Sequence, residues 1–223
     1  MVLRWQLGAG VRPRQRYFVY QMTVDNGGAP CCHAQLLTLA LAKRGVRTAA
    51  APGDVLVGVA GSSIDGAHGL IYAAHITARL GAAQYFGEAS PYADRPDCVY
   101  RITADGSCAV RAHAHFHADG LEAVADLGPA GEYRSGTVLV SRAFRYFGAS
   151  RRPLEREQYP HIRAALDAPA RGARLRASGS LVGELSGLID SVFAAFPDSV
   201  QGRPTHRGSI RCDRDDDYDL ISA

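Results

Sequence analysis

The sequence predicts an α+β fold built on a mostly antiparallel, strongly curved β-sheet or small barrel with flanking helices. Two observations lead to this prediction. Six apolar or β-branched segments have strand length, with only one helix expected early among them, and an amphipathic helix follows near the C-terminus. A doubly wound fold is disfavoured because strands and helices do not alternate along the chain.

The first expected strand covers residues 16–24, which are dense in aromatic and β-branched side chains. A polar, glycine-bearing loop follows, and Pro30 is then expected at the first helical position, which its fixed φ suits. The apolar residues Leu36, Leu37, Ala40 and Leu41 recur at helical spacing until Gly45, so a helix is expected from Pro30 to Gly45. The N-terminus of such a helix would favour a phosphate or a polarised base edge in the loop.

The other expected strands cover residues 55–60, 70–77, 98–103, 108–117 and 137–141. The first two of these are expected to pair as a hairpin, and so are the next two, around a turn at Asp105 and Gly106. Residues 81–97 form a long connection of the kind that is often functional. A helix over residues 181–196, apolar at i, i+3, i+4 and i+7, is expected to cover the barrel.

These elements predict one structural domain overall. Its core spans residues 1–150, C-terminal helices that pack on the core span 151–200, and a tail spans 201–223. Residues 167–180 are rich in Ala, Gly, Arg and Ser and indicate a mobile linker, and an acidic run at 213–217 belongs to the tail. With 223 residues, 47% of them hydrophobic and 21% charged, the composition is that of a globular protein.

The formal charge of +3 permits a polyanionic partner without requiring one. Arg12, Arg14 and Arg16 alternate, so an extended segment would place all three on one face. That face could contact phosphates or could be a solvated edge strand, and the sequence leaves both interpretations open. His113, His115 and His117 alternate in the same way, but no acidic or cysteine partner is indicated nearby. A polar exposed face is therefore favoured there, and neither metal nor cofactor is predicted.

Location and redox state follow from what the sequence lacks. No apolar run is long enough to span a membrane, and the start has no signal-peptide pattern, so a cytoplasmic protein without membrane contacts is expected. The five cysteines are an odd number with no CxxC spacing, which predicts reduced thiols rather than a disulfide scaffold or a zinc ribbon.

Several motifs resemble a known family when taken in chain order. They are Asp25-Asn26-Gly27-Gly28-Ala29-Pro30-Cys31, Gly53-Asp54 before an apolar strand, Leu70-Ile71-Tyr72-Ala73, Arg95-Pro96-Asp97-Cys98-Val99-Tyr100 and Phe144-Arg145-Tyr146-Phe147-Gly148. Over residues 16–150 this order resembles the nucleotide modification associated domain, type 2, and the first and last motifs are the most specific. The resemblance implies a role in bacterial or phage systems that make or handle modified DNA bases.

A second resemblance concerns the fold. The strand after Gly53-Asp54, followed by the strand with Ile71-Tyr72-Ala73, resembles the core hairpin of PUA-like barrels, the group that contains the EVE and YTH readers of modified bases. The resemblance implies a PUA-like, curved antiparallel barrel. In such readers a flipped base lies in a pocket built partly by the loop after the first strand, which here is Asp25 to Pro30.

The side chains of two motifs can serve base recognition. Asp25 accepts hydrogen bonds from exocyclic amines, and the Asn26 carboxamide both donates and accepts. Alternatively, both residues form a turn and cap the following helix, and the two roles are compatible. Arg145 and Tyr146 offer a guanidinium and an aromatic face for stacking, whereas the alternative places the motif's aromatic residues in the core and pairs Arg145 with an acid. Tyr92 in the long connection carries the same ambiguity.

The leading functional prediction is a nucleic-acid or nucleotide binding domain that recognises a modified base. The predicted binding residues are Tyr20, Asp25, Asn26, Gly27, Gly28, Tyr92, Arg145 and Tyr146. The expected partners are DNA or a nucleotide carrying the modified base and, in addition, a base-modifying enzyme. A less specific alternative is a protein-interaction domain that binds such an enzyme through the aromatic residues of the long connection, 81–97.

The alternative prediction is an enzyme that acts on a nucleotide or a modified base. Asp25 would be the general base, His33 or His75 a proton shuttle and Cys31 the nucleophile. Cys31 is more typical of a small buried hydrophobe than of a nucleophile, because no dedicated Cys-His-Asn pattern accompanies it.

Overall fold

The structure is a computed structural model that describes residues 15–112, 114, 116, 120–128, 130–133, 136–168, 179–206 and 221–222. Its strands are β1 (Tyr17–Met22), β2 (Cys31–His33), β3 (Leu36–Leu39), β4 (Val55–Ala60), β5 (Leu70–His75), β6 (Ala78–Gly81), β7 (Tyr100–Ile102), β8 (Cys108–Val110), β9 (Thr137–Ser141), β10 (Ala143–Tyr146) and β11 (Ile221–Ser222). Its helices are α1 (Arg44–Ala49), α2 (Ala82–Phe86), α3 (Gly120–Leu127), α4 (Pro160–Asp167) and α5 (Gly179–Ala195).

Two sheets form the middle of the molecule. The five-stranded sheet has the order β10-β5-β4-β1-β11, in which β1 and β4 are parallel and the other neighbours are antiparallel. The four-stranded sheet has the order β2-β3-β9-β6 and is antiparallel throughout. Strands β7 and β8 form a separate antiparallel hairpin.

Side chains alternate between two apolar clusters along β1. Tyr17 and Val19 belong to the cluster in which α4 and α5 cover one face of the five-stranded sheet. Phe18 and Tyr20 belong to the cluster between the two sheets, which also contains Leu37 and other side chains of the four-stranded sheet. A third cluster packs α2, α3 and the β7–β8 hairpin on the outer face of the four-stranded sheet. The molecule is therefore layered, with β1 buried on both faces.

The α+β class is confirmed, whereas the barrel is not. In the described part of the chain the sheets stack face to face, and none closes on itself. The parallel pairing of β1 with β4 departs from the expected antiparallel pattern. The chain between these two strands supplies β2, β3 and α1 to the second layer, and this long crossover lets β4 return beside β1 in the same direction.

The helix expected from Pro30 to Gly45 is wrong. This stretch forms β2 and β3 instead, joined by a tight turn in which Ala34 and Gln35 have φ values of 47° and 58°. Leu36 and Leu37 are both buried because β3 lies between two layers, with Leu36 in the outer cluster and Leu37 between the sheets. A strand buried on both faces produces a run of apolar residues that helical spacing also fits.

The remaining expectations have mixed outcomes. The β4–β5 hairpin, the β7–β8 hairpin, β9 and α5 are confirmed, and Gly106 adopts a φ of 84° in the β7–β8 turn. The long connection contains α2, and β10 is an additional strand. Predictions for Arg12, Arg14, the three alternating histidines and the acidic run at 213–217 concern positions outside the described residues.

Two features are absent from the described residues. None of the helices in the described ranges is both long and apolar enough to cross a bilayer. No three or more His, Cys, Asp or Glu side chains gather in those ranges in a way that could hold a metal ion.

Candidate functional site

A row of tyrosines crosses the inner face of the five-stranded sheet. Tyr20 on β1 lies opposite Gly58 on β4, and Gly58 lies opposite Tyr72 on β5. Tyr72 in turn lies opposite Tyr146 on β10. All three tyrosines belong to the cluster between the sheets, and we call Tyr20, Tyr72 and Tyr146 the tyrosine row. The Tyr20 and Tyr72 rings meet edge to face with centroids 6.1 Å apart, and their hydroxyls are hydrogen-bonded.

Gly58 makes room for this arrangement. A Cβ atom at Gly58 would lie 2.2 Å from Cε1 of Tyr72 and 2.9 Å from Sδ of Met22. The Tyr72 ring therefore lies over the backbone of β4, in space that a side chain at position 58 would fill. This close approach lets the Tyr72 hydroxyl reach Tyr20, two strands away.

The row ends at the buried carboxylate of Asp25, which is 1% exposed in the loop after β1. Its Oδ1 accepts a hydrogen bond from the Tyr146 hydroxyl at 2.6 Å. Its Oδ2 accepts two more, from the backbone N–H and the hydroxyl of Thr205, each at 2.9 Å. The backbone of Asp25 also pairs with His206, donating to Nδ1 at 3.1 Å and accepting from the backbone N–H at 2.8 Å.

Neutral groups alone hold this carboxylate. Among the residues that the structure describes, no arginine or lysine forms an ion pair with Asp25. Burial raises the pKa of Tyr146, and the adjacent Asp25 raises it further. Burial likewise raises the pKa of Tyr72, with a second contribution from Tyr20. The phenols therefore remain protonated at neutral pH, and Tyr146 serves as a neutral donor to Asp25.

A cation lies at the opposite end of the row. Nζ of Lys43 is 5.3 Å from the centroid of the Tyr20 ring, within the range of a cation–π interaction. Lys43 precedes α1 in a left-handed conformation with φ of 46°. The site thus has positive charge beside Tyr20, negative charge beside Tyr146 and, between them, aromatic rings that are buried between the two sheets.

The loop that carries Asp25 is a tight turn. Oδ1 of Asn26 accepts a hydrogen bond from the Gly28 N–H at 3.0 Å, which is the Asx-turn geometry. Gly27 has a φ of 85° and lies against Pro204, and a Cβ atom at Gly28 would lie 3.0 Å from the Phe116 ring. The expected turn is present, but the expected helix cap is wrong because β2 follows the loop.

The thiols beside the loop are poorly suited to nucleophilic chemistry. Burial raises the pKa of Cys31, and Asp97 adds to the effect. Burial also raises the pKa of Cys32, and here Asp25 contributes. A thiolate is the reactive form, so both cysteines are held in the unreactive one. His33 lies exposed at the end of β2, and His75 lies at the end of β5 that pairs with the start of β4, so neither contacts Asp25.

Two predicted binding residues lie apart from the tyrosine row. The Arg145 guanidinium donates to the carbonyl oxygens of Phe144, at 2.8 Å, and of Phe196, and it lies 4.4 Å from the centroid of the Phe193 ring. It therefore packs at the C-terminal end of α5. The Tyr92 ring stacks on Tyr85 at a centroid distance of 5.1 Å, in the outer cluster.

A second buried carboxylate explains the Arg95-Pro96-Asp97 motif. Asp97 accepts hydrogen bonds from the hydroxyls of Tyr85 at 2.7 Å and Thr38 at 2.5 Å, and Nε of Arg95 lies 3.4 Å from Oδ1 of Asp97. Arg95 also donates to the backbone oxygens of Cys31, His33 and Leu36 at 3.0, 2.9 and 3.2 Å. This network supports the β2–β3 hairpin next to the Asp25 loop.

Lys43, Gly58, Tyr72 and Thr205 were not predicted from the sequence as members of the site. For Gly58 and Tyr72 a signal existed, because the predicted hairpin of 55–60 with 70–77 can be aligned so that the glycine faces the tyrosine. For Thr205 the sequence carries no such signal, since 180 positions separate it from Asp25.

Comparison with known proteins gives one match. The family model described as nucleotide modification associated domain 2 matches residues 14–180, which include the tyrosine row, Asp25 and the Arg95 network. None of the curated proteins and none of the solved structures matches the chain. The matched stretch is well over half of the 223 residues. The chain therefore belongs to the nucleotide modification associated domain 2 family.

Proposed function

We propose that this protein binds a modified base, within DNA or as a nucleotide, at the tyrosine row and the Asp25 loop. Family membership suggests a role in DNA base modification systems. The observation that carries the proposal is the Asp25 carboxylate, which is buried at the end of an aromatic row and held by neutral donors alone. DNA or a nucleotide with the modified base is the ligand, and a base-modifying enzyme is the protein partner we propose.

The chemistry of the site supports recognition of a base. A carboxylate accepts hydrogen bonds from exocyclic amino groups, and the Asn26 carboxamide can donate as well as accept. Tyr20 and Tyr146 are each 2% exposed, so they border the site from the core and offer no exposed ring face for stacking. Gly27 and Gly28 add no side chains to the loop, and Pro204 and Phe116 lie against them.

We assign the predicted residues to two groups. Tyr20, Asp25, Asn26, Gly27, Gly28 and Tyr146 form the binding group. Arg145 and Tyr92 support the surrounding elements, since the first packs on α5 and the second on Tyr85. Lys43 adds a cation that favours a carbonyl oxygen or a phosphate at the Tyr20 end of the row.

Equilibrium binding to matched oligonucleotides tests this function. Single- and double-stranded oligonucleotides with cytosine or 5-methylcytosine are compared at two salt concentrations, because phosphate contacts weaken with salt and base contacts do so much less. We expect a preference for the modified base that survives added salt. Uniform binding that salt abolishes, or no binding, contradicts the proposal.

Asp25→Asn tests the carboxylate while nearly preserving its shape. Loss of a hydrogen bond to a charged group costs about 1.5–3 kcal/mol, so we expect the preference for the modified base to fall by about tenfold or more. Asp105→Asn is the matched control, because Asp105 is an exposed carboxylate in the β7–β8 turn. An equal loss of affinity for every oligonucleotide would argue against base recognition by Asp25.

A further inference from the structure

A segment beyond the family match lies over the Asp25 site. We call residues 199–206 the strap. It runs beside β10, with the Tyr146 N–H donating to the Ser199 carbonyl at 2.8 Å and the Gln201 N–H donating to the Tyr146 carbonyl at 2.7 Å. Farther along, the Ala149 N–H donates to the Arg203 carbonyl at 2.8 Å. The strap then reaches Asp25 through Thr205 and His206.

Three glycines allow the strap to pack closely: Gly202 within the strap, and Gly27 and Gly148 in the segments that it contacts. A Cβ atom at Gly202 would lie 1.9 Å from the Phe147 carbonyl oxygen, and one at Gly148 would lie 2.0 Å from the Arg203 carbonyl oxygen. A Cβ atom at Gly27 would lie 3.1 Å from Cγ of Pro204. Gly27 and Gly148 belong to the two most specific motifs of the sequence analysis. These motifs therefore leave a groove that an extended chain can enter closely, and the strap fills it.

The two oxygens of the Asp25 carboxylate have different kinds of partner. Oδ1 binds Tyr146, which belongs to the five-stranded sheet. Oδ2 binds Thr205, through one N–H and one O–H. Loss of the strap would leave Oδ2 without these partners and facing the groove. A ligand that approached this oxygen would have to offer donors in the same place, because a buried carboxylate without hydrogen bonds is costly.

We propose that the strap is an internal occupant of the base-binding site, in which Thr205 holds the place on Asp25 that an exocyclic amino group of the ligand takes. This inference rests on the proposed function. Its ligand class is an amino-bearing base such as a modified cytosine. Thymine derivatives are disfavoured because their exocyclic oxygens are acceptors and would face the carboxylate.

Occupancy by the strap lowers the apparent affinity for the ligand. The measured dissociation constant equals the intrinsic one divided by the fraction of molecules with an open site, so a mutation that releases the strap tightens binding. Gly202→Val is such a mutation, because its side chain collides with Phe147 and leaves Asp25 unaltered. Gly66→Val is the matched control, since nothing lies within 4 Å of a Cβ atom there.

The experiment measures affinity and strap position together in the full chain. The probes are single-stranded oligonucleotides that differ only in one 5-methylcytosine or thymine, and amide hydrogen exchange at Thr205 and His206 reports the strap. In Gly202→Val we expect faster exchange and binding of the 5-methylcytosine probe that is tighter by about tenfold or more. Gly66→Val should match the wild type in affinity and in exchange rate. Addition of the 5-methylcytosine probe to the wild type should accelerate hydrogen exchange in the strap.

Other results would overturn the inference. Faster strap exchange in Gly202→Val without a gain in affinity would show that the strap is no competitor. Slower exchange in the wild type upon addition of the probe would show that the strap stays in place around the ligand. If neither protein binds any probe, the proposed function fails, whereas wild-type binding without a gain in the variant rejects the strap alone.

Thr205→Val covers the case in which Gly202→Val does not fold. It preserves the shape of the side chain and removes one of the two donors to Oδ2. We expect a smaller gain in affinity than for Gly202→Val, with the same preference for 5-methylcytosine over thymine. An affinity equal to or below that of the wild type, together with faster strap exchange, would contradict internal competition.

Discussion

Asp25 and Asp126 are equally buried carboxylates, each 1% exposed, but they have different partners. Asp126 accepts a hydrogen bond from Nη2 of Arg47 at 2.8 Å, and Arg47 itself is fully buried. Tyr100 adds its hydroxyl at 3.1 Å. Asp25 receives hydrogen bonds from Tyr146 and Thr205, which are neutral. One carboxylate is neutralised by a guanidinium, and the other is solvated by dipoles.

This difference separates a structural clamp from a candidate binding site. Arg47 lies on α1, and its guanidinium also donates to the Tyr133 hydroxyl at 2.5 Å and to the carbonyl oxygens of Ala42 and Thr137 at 2.6 and 3.2 Å. These bonds join α1 to α3 and β9 and leave no place for a ligand at the carboxylate. At Asp25 two of the three donors to the carboxylate come from a surface segment, which is why we propose that a ligand replaces them.

Asp126→Ala should have the largest effect. It removes the carboxylate that pairs with the buried Arg47 guanidinium. Breaking a buried ion pair lowers the free energy of unfolding by about 3–5 kcal/mol. Urea denaturation at neutral pH measures the loss. Glu157→Ala, at an exposed side chain, is the control and should change stability far less. A loss below about 1 kcal/mol in Asp126→Ala would show that the buried pair is not the clamp we describe.

Tyr146→Phe should have the next largest effect. It removes a donor from a carboxylate without a cation, so the free energy of unfolding should fall by about 1.5–3 kcal/mol. Tyr100→Phe is the matched variant, because it removes a phenol donor from the arginine-paired Asp126. We expect Tyr100→Phe to cost less in the same urea titration. Equal losses, or a larger loss in Tyr100→Phe, would remove the distinction between the two carboxylates.

His75 should give the smallest effect, and it is a half-buried group that can gain a proton as the pH falls. Burial, with the Phe193 ring 5.0 Å away, lowers the pKa of His75, and Asp190 opposes the shift. The unfolded chain therefore binds the proton more readily, and folded-state stability falls as pH decreases through the ordinary histidine pKa of about 6.5. His75→Gln should lose less stability than the wild type between about pH 7.5 and 5.5. If urea titrations show the same loss of stability in the wild type and in His75→Gln over this pH range, a contribution from His75 is excluded.

Prediction from sequence succeeded where a segment carries one local pattern. The aromatic and β-branched residues before Asp25 form β1, and the apolar spacing of residues 181–196 corresponds to α5. It failed at β2 and β3, because Leu36 and Leu37 face different layers and their continuous burial resembles a helical pattern. The same contrast applies to the candidate site: the Asp25 loop has local turn chemistry that the sequence shows, whereas the hydrogen-bond partners of Asp25 are distant in sequence.

By itself the sequence determined the family, most strands, the Asx turn at Asn26 and the glycines of the two specific motifs. Local propensity and turn chemistry act over a few residues, so they can be recognised in a linear string. Only the tertiary structure decided that Asp126 pairs with a cation, whereas the partners of Asp25 within the described residues are neutral. Tyr146 and Thr205 are 121 and 180 positions from Asp25, and no local pattern specifies contacts between groups so far apart in sequence. Strand register and the path of the strap bring them together.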